Sequence, residues 1–459
     1  MTGEKDVDTM MKKQSKQSDF IMMTLDDIVP DDHLLRIIDK HMDFEFIYET
    51  TAPLYSDIGR QSVDPVNIFK IELINILYGF NSIRKTTEAL KTDVAYRWFL
   101  NIPFTEPTPH FSTLSQVYKR KFEDNEVYET IFMTIMNRLK DKKLLNTTNI
   151  YIDGTHIKAN ANKHHYETIE VEKPANAFED EIFERINETR KNDGMKPFHP
   201  RRETKTIKQS TVDPESGYYV KNKRDKQMAY VAQVACDENG YALDCEVVPG
   251  NVHDSQSARP ILTRVLNNFD VSAVAADAGY KNGVLSDFVL SHHALFFTAY
   301  TRPKGKKGFF RNYDFVYDEY YNQVICPNNK LLNYKHTNRD GYKIFQSNKK
   351  DCEQCPIRKQ CIEDKQSYKQ VNLSVFHDVL EYVEDLRHTD YGKETYKKRK
   401  EKIERLFADA KEKYGMRYTR LRGKNRVRNH ILLTLGCMNI KKMALHLERI
   451  EQDGPVYSD

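Results

Sequence analysis

The sequence predicts an α/β chain: a mixed sheet with flanking helices, preceded by an all-α N-terminal domain and interrupted by two insertions. Three observations predict it. Residues 20–145 read as a series of short helices. Near residue 147 the chain changes to short apolar runs of strand length. Beyond that point the order is strand, hairpin, helix, strand, helix, strand, insertion, helix, which argues for a mixed sheet with helices packed on it.

The helical part begins most clearly at Asp64-Pro65, with Asp64 as N-cap and Pro65 in the first helical position. Ile68, Phe69, Ile71, Ile74, Ile76 and Leu77 follow, and Gly79 marks the end. Further helices are predicted from about Ser82 to Leu90 and from Asp93 to Leu100. The turn-rich stretch Pro103 to Pro109 breaks the chain before a basic helix, about Ser112 to Phe122, that carries Lys119, Arg120 and Lys121. Short helices ending in a basic one suit a helix-turn-helix, although any helical bundle has similar spacing.

Asn149 to Asp153 reads as a strand ending in a carboxylate. Residues 160–225 are polar, with a helix around Phe178 to Thr189, and read as an insertion rather than core. Met228 to Cys236 and Tyr241 to Val248 form a hairpin through the Asn239-Gly240 turn signal. A helix from Ser255 to Leu266 carries Ala258, Ile261, Leu262 and Val265 on one face. Val271 to Ala276 is a strand of small residues ending at Asp277, and a helix and the strand Ala294 to Ala299 follow. A second insertion spans roughly 300–390. Helices then run from about Thr395 to Tyr414 and from Val427 to Ile450.

At 459 residues the chain suggests two or three domains. The expected boundaries are a disordered N-terminus at 1–20, a helical DNA-binding domain at 21–145, an α/β catalytic domain at 146–450 and a tail at 451–459. Hydrophobic residues make up 39% and aromatics 11%, enough for a sizeable core. The net charge is only +4, but basic residues cluster at Arg201 and Arg202, Lys304 to Lys307, Lys397 to Lys400, and Arg417 to Arg428. Such patches suit a phosphate backbone; any one alone reads as solvated surface. No run approaches the roughly 20 apolar residues of a membrane span. No secretory signal is visible, and seven cysteines in a large chain do not form a secreted disulfide scaffold, so a reducing cytoplasm is expected.

Asp153 and Asp277 sit at strand ends. Glu404 lies beside the apolar stripe Ile403, Leu406, Phe407 and Ala410 of a helix. Two strand-end carboxylates and one helix carboxylate can converge at a sheet edge, where hard divalent cations take oxygen ligands. Two ions roughly 3.5–4 Å apart would clamp the attacking and leaving oxygens of a phosphodiester. Spacing alone does not choose this trio from 67 acidic residues.

Three motifs in order, the last with a basic continuation, make the choice. Tyr151-Ile152-Asp153-Gly154-Thr155-His156 resembles the first-aspartate motif of the bacterial DDE transposases of the IS4/IS5/IS1182 kind. Ala275-Ala276-Asp277-Ala278-Gly279-Tyr280 resembles the second. Tyr396, Arg399, then Ile403-Glu404-Arg405-Leu406-Phe407 and Lys411 resemble the tyrosine-arginine-glutamate-lysine signature, continued by Arg417, Arg420 and Arg422-Gly423. The best match is the IS1182 group, over nearly the whole chain after residue 30. The family signature places three residues between arginine and glutamate, whereas four separate Arg399 from Glu404. Glu401 is the near rival, but it lacks the apolar frame and a lysine seven residues on.

The resemblance implies an RNase H-like core with Asp153, Asp277 and Glu404 as catalytic metal ligands for two Mg²⁺ or Mn²⁺ ions. It implies binding to transposon inverted-repeat ends and target DNA, by a homodimer or larger synaptic complex near the nucleoid. Tyr396, Arg399 and Lys411 would contact end phosphates, with Arg417, Arg420, Arg422, Lys119 and Arg120 as further DNA contacts. A nuclease of the same fold without strand transfer, and a non-catalytic DNA-binding descendant, remain alternatives.

Cys326, Cys352, Cys355 and Cys361 fall in the second insertion. Cys352-x-x-Cys355 has zinc-knuckle spacing, so four thiolates could close a structural zinc site; reduced cysteines in a packed loop are the alternative. His253-Asp254 is read as the cap of the next helix, through Asp254, rather than as part of the carboxylate site. No glycine-rich phosphate loop is present, so ATP is not implied.

Overall fold

A computed structural model describes residues 22–56, 62–123, 125–172, 179–199, 204–222, 224–300 and 306–453. The expected disordered segment 1–20, the tail beyond residue 453, and Arg201, Arg202 and Lys304 lie outside the described residues.

The helical N-terminal part forms as its local signals require. Asp64 caps Pro65–Leu77 by accepting the Val66 N–H at 2.8 Å, with Pro65 at the first turn. The chain leaves that helix through Gly79 at φ +65°, a conformation that glycine adopts without a Cβ penalty. Helices Ile83–Ala89, Val94–Phe99 and Phe111–Val117 follow. The basic stretch does not continue the last of these as an α-helix; Tyr118–Phe122 is a π turn. The last helix, Lys424–Asp453, packs on Val127–Asp141, Leu34–His41 and Pro65–Leu77. One hydrophobic cluster therefore runs from Leu35 to Ala444 through both the helical part and the sheet.

The large sheet has eight strands: β1 Asn149–Lys158, β2 Tyr166–Glu172, β3 Thr204–Ser210, β4 Gly217–Val220, β5 Lys226–Cys236, β6 Ala242–Pro249, β7 Ala273–Ala276 and β8 Leu295–Thr298. Its centre runs β6–β5–β1–β7–β8. β5 is antiparallel to β6 and β1, while β1, β7 and β8 are mutually parallel. The β5–β6 hairpin turns at Gly240, φ +76°. Asn439 of the last helix is buried against β6, accepting the Ala242 N–H at 3.0 Å and donating to the Ala242 carbonyl at 2.8 Å. That side chain satisfies backbone groups at a strand end that would otherwise be buried without partners.

Three sequence expectations change. The first strand does not end at Asp153: β5 keeps pairing with it as far as Lys158↔Ala229, so Asp153 is an interior residue. Residues 160–225 are not a strandless insertion, because β2, β3 and β4 extend the sheet beside β5. Residues 300–390 hold a second, five-stranded antiparallel sheet: β9 Val316–Asp318, β10 Gln323–Ile325, β11 Leu331–Thr337, β12 Tyr342–Ser347 and β13 Gln370–Ser374. Its own small core consists of Phe315, Val324, Leu332, Phe345, Val371 and Leu373.

Candidate active site

Parallel pairing of β1 with β7 matches Asn149 to Ala273, Ile150 to Val274 and Tyr151 to Ala275. Continuing that register by two residues sets Asp277, just past the end of β7, level with Asp153. Side chains at one level of neighbouring parallel strands leave the same sheet face, so the two carboxylates adjoin. The Asp277 charge accordingly acts on Asp153, raising its pKa. The difference between them is burial. Asp277 is exposed, whereas Asp153 is largely enclosed.

The third carboxylate comes from the helix that crosses this edge. Asp390–Arg399 passes into a π turn, Lys400–Glu404, and then into Arg405–Glu412. A π turn bonds i to i+5 and inserts one extra residue into an α-helix. Arg399 and Glu404 are five apart in number and meet across that turn, Nη1 to Oε1 3.7 Å. The same guanidinium reaches Asp153, Nη2 to Oδ2 2.7 Å. The π turn thus absorbs the extra residue that sets this chain apart from the family signature. Ile403, buried in the turn, and Leu406, Phe407 and Ala410 beyond it anchor this segment in the core.

Arg399 is only 5% exposed, and its Nε has no hydrogen-bond partner among the described residues. Burial raises the Asp153 pKa to about 6, opposed by Arg399 and the Gly154 N–H and reinforced by Asp277 and Asp254. The guanidinium is the positive charge that these carboxylates hold. Asp153, Asp277 and Glu404 are all hard oxygen donors, and that donor set fits Mg²⁺ or Mn²⁺. No three carboxylate oxygens here lie within 4.8 Å of one another; among the described residues only His41, Glu448 and Glu451 do so, and Lys40 pairs with both of those glutamates.

Tyr396, one helical turn before Arg399, is half-buried, and burial raises its pKa; the charges of Arg399, Asp277, Asp153 and Glu404 all act on it. Lys411 is half-buried, and its pKa is lowered first by burial and then by Arg417. Arg417, Arg420 and Arg422 lie on a segment running along the end of β1. Lys158 N–H donates to the Arg417 carbonyl at 3.1 Å, Asn160 Nδ2 to the Arg420 carbonyl at 2.9 Å, and Arg422 Nε to the Asn160 carbonyl at 3.2 Å. All three side chains are exposed. Lys119 and Arg120 are exposed on their π turn, and no hydrogen bond or ion pair among the described residues joins them to the carboxylates.

Sequence reasoning missed the layer beneath the site. Gln233 of β5 is fully buried; its Nε2 donates to Asp254 Oδ1 at 3.0 Å, and its Oε1 accepts the Tyr280 hydroxyl. Gly154 leaves room for this pair: a Cβ there would stand 2.7 Å from Gln233 Nε2 and 2.8 Å from Asp254 Oδ1. The helix Asp254–Asn268 is capped by His253, whose Nδ1 accepts the Ser255 N–H, and not by Asp254. Asp254 is freed for the carboxylate edge. The available signal was Gln233 itself, a lone polar residue within the apolar run Met228 to Cys236. His156 stacks on Tyr219 at 3.6 Å, further along β1.

Residues 325–444 match the family model for a Transposase DDE domain, and residues 23–120 match that for a Transposase domain (DUF772). Tyr396, Arg399, Glu404, Lys411 and the four clustered cysteines fall inside the first match; Asp153 and Asp277 lie between the two. No curated protein matches the chain.

Proposed function

We propose a catalytic reading for this chain, which belongs to the DDE transposases and carries the domain pair typical of the IS1182 group. It binds the inverted-repeat ends of its own element, cuts them and joins the freed 3′ ends to target DNA, using Asp153, Asp277 and Glu404. The observation that carries this reading is Arg399, buried between Asp153 and Glu404 on the sheet edge where Asp277 also emerges. Strand, adjacent strand and crossing helix each deliver one carboxylate to one place. A strand hairpin followed by two parallel strands with intervening helices supports an RNase H-like core.

In this reading the three carboxylates hold Mg²⁺ or Mn²⁺, which when bound supplies the charge that activates the attacking hydroxyl and stabilises the leaving oxygen. The protein does the rest by placement. Gln233 fixes Asp254, and Tyr280 fixes Gln233, so the floor under Asp153 is rigid before substrate arrives. The Arg399 guanidinium would compete with bound cations for Asp153 and Glu404, and a DNA phosphate would then be its natural acceptor, bidentate where geometry allows. Lys411, Arg417, Arg420 and Arg422 extend that positive edge along the end of β1. Tyr396, on Arg399's helix, presents its hydroxyl to the same phosphates. The helical residues 21–145, with Lys119 and Arg120, recognise the repeat. Two ends must meet, so the working form is a homodimer or larger synaptic complex.

Cleavage and joining of element-end DNA in Mg²⁺ or Mn²⁺ test this, with wild type beside Asp277→Ala. The expected result is cleavage and joining by wild type alone. Cleavage without joining would make the protein a nuclease of the same fold; DNA binding without cleavage by either protein would make it a non-catalytic DNA-binding protein. Among the described residues no helix is long and apolar enough to cross a membrane.

A further inference from the structure

The second sheet carries a feature that DNA cleavage does not use. Cys326 follows β10, and Cys352, Cys355 and Cys361 lie between β12 and β13. Cys326 is separated from the other three by β11 and β12, yet all four line one cavity of about 20 Å³. That is room for a single water-sized body. All four are free thiols, and none is fully exposed.

Polar groups are aimed at the sulfurs. The Lys330 N–H donates to Cys326 Sγ at 3.4 Å across a tight turn, with Asn329 at φ +54°. Asn328 Nδ2 donates to Cys355 Sγ at 3.6 Å. The Ser347 hydroxyl contacts Cys352 Sγ at 3.0 Å. A neutral thiol is a weak acceptor, whereas a thiolate ligand is steadied by such donors. Lys330, Arg358 and Lys369 line the same cavity, against one acidic residue, Asp351. A zinc ion with four thiolates carries two net negative charges, which that cationic lining offsets.

The fold has use for such an ion. The module's core is six residues, and Cys326 and Cys361 pack against it. A core of that size is weak without a staple. The segment from Asn348 to Lys369 contributes no strand to the sheet and is tied down by a few contacts, such as Lys369 N–H to Ser347 Oγ at 2.9 Å.

We propose that Cys326, Cys352, Cys355 and Cys361 bind one structural zinc ion that pins this segment to the small sheet. In the structure the sulfurs ring the cavity without three of them coming within 4.8 Å of one another. Binding draws them onto the ion at the usual Zn–S distance of about 2.3 Å.

The test uses the full chain carrying Asp277→Asn, so that the carboxylate site does not contribute metal. Protein purified from zinc-supplemented cells is desalted, assayed for zinc, and titrated with a mercurial thiol reagent. One zinc per chain, released in step with four thiols, is the expected result. Replacing it with Co²⁺ should give the intense thiolate-to-cobalt absorption of a tetrahedral site. Cys355→Ser should lose the zinc, and Cys355→His should retain it. A chain without zinc whose thiols react freely, and which takes up Co²⁺ without thiolate bands, overturns the proposal. So does zinc retained in full by Cys352→Ser/Cys355→Ser.

Discussion

Arg399 and Glu404 are five residues apart and face each other across a π turn, Nη1 to Oε1 3.7 Å. An uninterrupted α-helix of 3.6 residues per turn would carry the fifth residue past that face. The wider turn brings it back. Glu401 lies within the turn, is exposed, and has no ion pair among the described residues. The first expectation therefore separates the two glutamates. Glu404→Gln should lower DNA cleavage roughly 100-fold or more, by analogy with losses at metal-site residues, while Glu401→Gln should cleave like wild type. Single-turnover cleavage rates decide it; the opposite pattern would move the third ligand to Glu401.

A buried ion pair that loses one partner leaves an uncompensated charge, a loss of about 3–5 kcal/mol. Arg399→Ala leaves Asp153 in that position. We expect the variant to be destabilised on that order without divalent ions and to recover a good part of the loss in Mg²⁺, which supplies the missing positive charge. Urea unfolding with and without Mg²⁺ measures this. An equal loss in both conditions would mean that the guanidinium and the cation do not share the site.

Gly154 makes a further demand. A methyl group there meets Gln233 and Asp254 at less than 3 Å. Gly154→Ala should cost about 1–3 kcal/mol through overpacking and should shift Asp153 enough to reduce cleavage by an order of magnitude or so. Gln233→Leu, which fits the strand but frees Asp254 and Tyr280, should reduce cleavage while leaving DNA binding unchanged. Binding by gel shift beside cleavage rate distinguishes this from general unfolding.

The sequence displays the centre of this site but not its surroundings, and the reasons are physical. β7 is short, buried and wholly apolar, so its end stands out and Asp277 follows directly; β1 is continuously apolar only from Ile150 to Ile152, so Asp153 reads as its end although the strand runs on to Lys158. β2 to β4 and the second sheet are mixed polar strands that bury few side chains; in β3, Thr204 to Thr206 are exposed and only Ser210 is buried. Such strands give little periodicity to read, apart from the short alternation that buries Val371 and Leu373 in β13. The π turn leaves one trace, the four residues between Arg399 and Glu404 where the signature has three; Ile403, Leu406, Phe407 and Ala410 keep α-helical spacing and do not reveal it. The exchange of His253 for Asp254 as cap depends on Gln233 drawing the carboxylate away, a contact 21 residues distant.

Stability should carry a pH signature from Asp237, buried in the β5–β6 turn, where its carboxylate accepts the Asn146 and Tyr241 N–H groups. Burial pushes its pKa up to about 6 from 3.8. A carboxyl group with a raised folded-state pKa contributes stability that is fully present below the unfolded value and is lost as pH rises through the folded one. The contribution is on the order of 2–3 kcal/mol, from 1.36 kcal/mol per unit. Comparing urea unfolding of wild type and Asp237→Asn at pH 4.5 and 7.5 isolates it. Wild type should lose more stability than the variant over that interval, and parallel losses would contradict the assignment.

Mn²⁺ titration followed by electron paramagnetic resonance, with element-end DNA bound, decides whether Asp153, Asp277 and Glu404 form one cation site. Wild type should hold Mn²⁺ tightly, and Asp153→Ala, Asp277→Ala and Glu404→Ala should each weaken that binding, with Glu401→Ala unchanged. Wild-type Mn²⁺ affinity in all three single variants would contradict a shared site.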